Sequence, residues 1–110
     1  METLTFDLPS APRAAAGAPP CLCGVVGSGN LEVLLQAAPA SAAADRCAVT
    51  VRTSARGFAT TWQAVLADFA QRHAAGGLRI DINDLGATPA VVSLRLQQAW
   101  QDFAAPRSAP

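Results

Sequence analysis

The sequence predicts an α+β domain, a mainly antiparallel sheet of four to five strands with two helices packed on one of its faces. Three observations lead there. Segments rich in β-branched residues alternate with period two, most clearly where Leu78, Ile80 and Ile82 are interleaved with Arg79 and Asp81. Apolar side chains at Phe58, Trp62, Val65, Leu66, Phe69 and Ala70 recur at the spacing of one helix face. A second helix announces its start, because Thr88 can cap it and Pro89 takes the first helical position, where a missing N–H costs nothing.

In chain order, residues 3–8 read as a short first strand. Residues 9–20 carry four prolines and no large apolar side chain, so burial cannot offset the entropy of ordering them, and they read as a Pro/Ala-rich loop. Strands follow at 22–26 and 31–36, separated from one at 47–53 by the Ala-rich stretch 37–44, which reads as a long hairpin loop. The first helix carries the Phe58 face and is ended by Gly76-Gly77. Residues 78–82 form the last strand, and the second helix buries Val92, Leu96, Ala99, Trp100 and Phe103. Two helices among five strands exclude a helical bundle.

A chain of 110 residues makes one domain, 1–110. Eight acidic residues balance eight basic ones, and zero net charge lacks the excess cation that nucleic acid or an anionic membrane surface requires. Every basic residue is Arg, and Lys and Tyr are absent, which removes lysine Schiff-base and tyrosine acid chemistry. No apolar run reaches the roughly 18 residues of a membrane span, and the N-terminal segment has no secretory pattern, so a cytoplasmic location is expected. Cys21, Cys23 and Cys47 are odd in number and fit free thiols.

The most unusual stretch is Gly27-Ser28-Gly29-Asn30, a serine between glycines where two apolar strands meet. One reading is a hairpin whose glycines and Asn30 supply positive φ, with Ser28 as polar filler. The stretch lacks the Lys-Ser/Thr of a phosphate-binding loop, and Val26 and Asn30 stand where a nucleophile elbow wants glycine. The one histidine, His73, falls at the end of the first helix, where a cation interacting with the helix dipole is the ordinary role. Cys21-Leu22-Cys23 with Cys47 and His73 lacks metal-site spacing. Asp81 and Asp84 make no catalytic carboxylate pair; Asn83 and Asp84 read as turn residues, and Gly86 takes a positive φ. The turn from Asn83 to Pro89 is a structural corner on this reading, with a docking surface as the alternative.

Gly24-Val-Val-Gly-Ser-Gly-Asn-Leu-Glu-Val-Leu-Leu35, together with the block from Ile82-Asn83-Asp84-Leu85-Gly86 through Thr88-Pro89 to Ala99, resembles the acyl carrier (delta) subunit of malonate decarboxylase, a family related to the citrate lyase acyl carrier (gamma) subunit. The resemblance extends through residues 49–53 and the 58–73 helix. Leu85 and Ala90 stand where Phe and Gly are common in that family, and Asn30 where Asp is also seen. The resemblance implies a non-catalytic carrier without metal, of a fold unlike the helical-bundle acyl carriers. It implies covalent attachment of 2'-(5''-phosphoribosyl)-3'-dephospho-CoA to Ser28 through a phosphodiester, so that the chain is a phosphoprotein, with Gly27 and Gly29 beside the attachment point. Acetyl and malonyl thioesters would be carried on that group while malonate is converted to acetate and CO2. The partners it implies are the acyl-transferase (alpha) subunit, the decarboxylase (beta and gamma) subunits, the prosthetic-group transferase and a malonyl transferase.

Such a role suits the residues. A serine that accepts a bulky group needs an exposed hydroxyl, flanking glycines clear the approach, and the base belongs to the modifying enzyme. A rival reading is a small α+β protein-interaction module without a prosthetic group, in which the Gly-Ser-Gly turn is structural. An enzyme using Ser28 or a thiol is a third.

Overall fold

The structure, a computed structural model, describes residues 2–12, 21–23, 31–38 and 44–104, with the backbone alone at 21–23, 102 and 104. Alternation of apolar and polar residues builds β1 (Glu2–Pro9), β3 (Leu31–Ala37), β4 (Arg46–Thr53) and β5 (Leu78–Asp84), a short strand β2 (Cys21–Cys23) adds to them, and helical periodicity builds α1 (Ala59–Arg72) and α2 (Pro89–Ala104). Element types and order are those the sequence predicts. The strands form one sheet in the order β1-β4-β5-β3-β2. Three neighbouring pairs are antiparallel and the central pair, β4 with β5, is parallel. Parallel neighbours need a crossover, and α1 provides it.

Register sets the core. Phe6, Val49, Ile80 and Leu35 lie side by side across four strands, and Leu4, Val51, Ile82 and Val33 form the next row. Val51, Ile80, Ile82, Val33 and Leu35 are fully buried. They meet Trp62, Leu66, Phe69 and Ala70 of α1 and Val92, Leu96, Ala99 and Phe103 of α2. Each large apolar side chain so buried contributes about 1.5–3 kcal/mol. The opposite sheet face is polar. There Asn83 Nδ2 donates to Glu32 Oε1 at 3.0 Å, and Asp81 accepts from Gln36 Nε2 at 3.4 Å and pairs with Arg79 Nε at 3.2 Å. Covering on one face alone is thus written into the alternation of each strand.

Several expectations change. Residues 37–44 do not close a hairpin: β5 lies between β3 and β4, so this stretch belongs to a connection that passes from one side of β5 to the other. Pro9 ends β1 and Ala37 ends β3, which trims both proposed loops. The start of the 9–20 loop is held by hydrogen bonds in place of apolar burial. The buried Ser10 hydroxyl lies 2.8 Å from the carbonyl oxygens of both Ala70 and His73, sharing one proton between them, and accepts from the Ala75 N–H at 2.9 Å. Ser10 thereby satisfies carbonyls that the end of α1 leaves without helical partners. The helix stops at Arg72 with His73 as its C-cap, before Gly76-Gly77. Gly76 instead holds the chain after β1, since Pro12 bridges to it and its N–H donates to Ala11 O at 2.9 Å. Phe58 is the N-cap of α1 and 52% exposed, because it precedes the first helical turn and leaves the buried face to begin at Trp62. The strand expected at 22–26 is Cys21–Cys23, and its remainder lies outside the described residues. Among the described residues no helix is long and apolar enough to cross a membrane.

Candidate functional site

One end of the sheet gathers the features that could bind or present a group. β4 ends at Thr53 and β5 at Asp84, which are register partners, and the chain leaves both strands there to enter α1 and α2. β3 begins at the same end, since Leu31 is the partner of Asp84. The carboxyl ends of adjacent parallel strands are where open α/β sheets commonly hold ligands.

Asp84 organises this end. It is 3% exposed, and its Oδ2 accepts the Thr53 hydroxyl at 2.8 Å while Oδ1 accepts the N–H groups of Gly86 at 3.1 Å and Ala87 at 2.7 Å. Thr53 Oγ1 in turn accepts the Ala55 N–H at 3.1 Å. The carboxylate thus closes an Asx turn on its own strand and ties it to the loop after β4. Gly86 adopts φ +102°, as expected. Thr88 Oγ1 accepts the Val91 N–H at 3.3 Å, the capping geometry its place before Pro89 predicts. The structural reading of the turn is therefore the one the geometry supports.

Between the first turns of the two helices lies a cleft of about 300 Å³. Phe58, Trp62, Val65, Ala87 and Val92 give it apolar walls, and Asp84 is the one charged residue in its lining. Leu85, 47% exposed, follows Asp84 in the same turn. The cleft was not legible beforehand, because Phe58, Trp62 and Val65 look like plain core periodicity. The Thr53–Asp84 link was missed as well; the available signal was a threonine closing the apolar row Val49, Val51, with an Asp-x-Gly turn on the next strand.

The proposed attachment residue Ser28 and its neighbours Gly27 and Gly29 lie outside the described residues. Their flanks are described: Cys23 pairs with Val33, and Leu31 with Asp84. The other candidates are dispersed. Asp81 and Asp84 face opposite sides of the sheet. Cys47 is buried, and burial first, then the Asp7 carboxylate, push its thiol up to about 12. His73 holds the helix-end position, but its ring sits 5.0 Å from Phe69 and 5.1 Å from Trp100. Burial and then Arg72 lower its pKa, partly opposed by Asp68, so neighbouring groups disfavour the cation expected there.

Comparison with known proteins adds an independent line. The family model described as malonate decarboxylase delta subunit (MdcD) matches residues 19–103. A malonate decarboxylase acyl carrier protein of Burkholderia cepacia is 56% identical over 104 residues, 94% of this chain and 92% of that protein. One from Acinetobacter calcoaceticus is 57% identical over 103 residues, covering 94% and 97%. Among solved structures, a chain in the crystal structure of a Pseudomonas malonate decarboxylase hetero-tetramer in complex with malonate superposes with a TM-score of 0.79 at 39% identity, covering 94% of this chain and all of that one.

Proposed function

Because the chain belongs to the malonate decarboxylase delta subunit family, we propose that it is the acyl carrier subunit of such a complex, bearing phosphoribosyl-dephospho-CoA on Ser28 through a phosphodiester. The observation that carries this reading is a family match over residues 19–103, which takes in the whole Gly27-Ser28-Gly29 sequence. When attached, the group supplies the thiol that holds acetyl and then malonyl, and cofactors of this kind carry the chemistry themselves. The chain's own part is to hold and present. The fold fits that division of labour. The connection that contains Ser28 enters the sheet at Leu31, beside a cleft with apolar walls, while His73 and the carboxylates of Asp81 and Asp84 are engaged in separate structural contacts.

The acyl-transferase (alpha) subunit would exchange acetyl for malonyl, and the decarboxylase (beta and gamma) subunits would release CO2. A prosthetic-group transferase would load Ser28 and a malonyl transferase would charge the group, all in the cytoplasm. Tethering replaces diffusion of a free thioester with a high effective concentration at each partner.

Intact mass after expression with the loading enzymes tests the proposal. The expected adduct exceeds phosphopantetheine by an adenylate (AMP) unit and a phosphoribosyl unit, maps to the peptide containing Gly27 to Leu31, and is absent from Ser28→Ala. A chain that stays unmodified beside active loading enzymes, or a Ser28→Ala protein that still gains the mass, overturns it in favour of an interaction module.

A further inference from the structure

We infer that the cleft between the first turns of α1 and α2 is a resting site for the pantetheine end of the group carried on Ser28. The inference rests on the carrier reading above and adds where on this chain the group folds back. Chain length brings it within reach. Ser28 precedes Leu31 by three residues, so no more than roughly 10 Å of backbone separates them. Leu31 is the strand partner of Asp84, across roughly 5 Å. The attachment point is therefore tethered within roughly 15 Å of a residue that lines the cleft, whatever path residues 24–30 take.

Size and charge choose the part of the group. At about 300 Å³ the cleft sits at the small end of ligand pockets, so it takes a segment and not the entire nucleotide-bearing group. Its walls are Phe58, Trp62, Val65, Ala87 and Val92, and its charged residue is an aspartate. Both carboxylate oxygens of Asp84 are already occupied by three donors, so they offer a phosphate nothing but repulsion. The phosphates lie toward the attachment end. The pantetheine end is uncharged when acetylated, slender, and carries a pair of methyl groups suited to these walls. Phe58, which lines the cleft and is 52% exposed, gains a covering apolar partner when it is seated.

The experiment uses the full-length carrier, loaded and acetylated, with loading confirmed by intact mass. Nuclear Overhauser contacts are measured between the group and the Val65, Val92 and Trp62 side chains, and acetyl loss to hydroxylamine is timed by mass. Thr61→Leu and Ala87→Leu fill the cleft from its lining, the first from an exposed helix position that leaves the core intact. Expected are contacts from the pantetheine methyls to Val92 and Trp62. Deacetylation should be about threefold faster or more in the filled variants, as follows when the seated state is the major population. Leu94→Ala, exposed and outside the cleft lining, should leave the rate unchanged. Absent contacts on a loaded carrier, contacts from adenine protons in place of the methyls, or equal rates in filled and unfilled proteins overturn this inference while leaving the carrier reading intact. Failure to load at all removes the carrier reading, and this inference with it.

Discussion

Thr53 and Asp84, the last residues of two adjacent parallel strands, share a buried 2.8 Å hydrogen bond that joins the loops leading into both helices. A buried carboxylate with three donors is satisfied, and taking it away strands all three. Asp84→Ala should therefore lower stability by about 2–4 kcal/mol, read as a fall in the urea midpoint, and Asp84→Asn, which keeps one acceptor oxygen, by about 1 kcal/mol. Equal midpoints for wild type and Asp84→Ala would show that the corner is held by its glycine and helix caps alone.

Two glycines should fail for different reasons. A Cβ on Gly86 meets nothing within 4 Å, so Gly86→Ala pays backbone strain at φ +102°, about 1–2 kcal/mol, and Gly86→Asn less. A Cβ on Gly76 would collide with the Ala44 carbonyl and come within 2.8 Å of those of Ser10 and Ala11, all backbone atoms, and Gly76→Ala should cost about 3 kcal/mol through displacement of the chain. Thermal unfolding of the three proteins gives the order: Asn at 86 mildest, Ala at 76 worst. The reverse order would mean that Gly76 has room the carbonyls give up freely.

His73 gives stability a mild acid dependence. Burial and Arg72 lower its folded pKa beneath the unfolded value near 6.5, so the unfolded chain takes up the proton first. Its contribution is present above pH about 6.5 and falls as pH drops below that value toward the folded pKa. Replacing it with Phe, which keeps a ring between Phe69 and Trp100, should flatten the melting temperature between pH 7 and about 5 relative to wild type. An unchanged slope would assign that acid sensitivity to the carboxylates.

Cys47 should be inert while the protein is folded. With its thiol pushed up to about 12, roughly one molecule in ten thousand carries the thiolate at pH 8. In a Cys21→Ser, Cys23→Ser background, labelling by a maleimide should track global unfolding and accelerate with urea along the unfolding curve. Fast labelling in native buffer would expose a local opening of the β1–β4 edge.

The strands, both helices and their order were legible because each buries a single face, and that constraint writes period two or period 3.6 into the residues themselves. What escaped was long-range pairing. Nothing in the Ala-rich 37–44 stretch tells a hairpin from a passage across β5, since small residues suit either path. Ser10 escaped for a related reason: it acts through one hydroxyl, sixty residues from the carbonyl it serves, and hydropathy is blind to such a contact. At the candidate site, Gly86, Thr88 and Pro89 declared their geometry locally. The cleft arises only when two helix starts converge, which no single segment encodes.

The placement of β2 sets how the molecule yields to force. It pairs through three residues and on one side only, whereas β3, beyond the 24–30 connection, is flanked on both sides and sends Leu31, Val33 and Leu35 into the core. The chain around Ser28 is thus bounded by one weak anchor and one strong one. Peeling β2 away breaks a short ladder; disturbing β3 opens the whole interior. On the carrier reading proposed above, a transferase would draw Ser28 into its own active site from the β2 side while the rest of the chain stays folded, and amide hydrogens of Cys21–Cys23 should exchange long before those of β5.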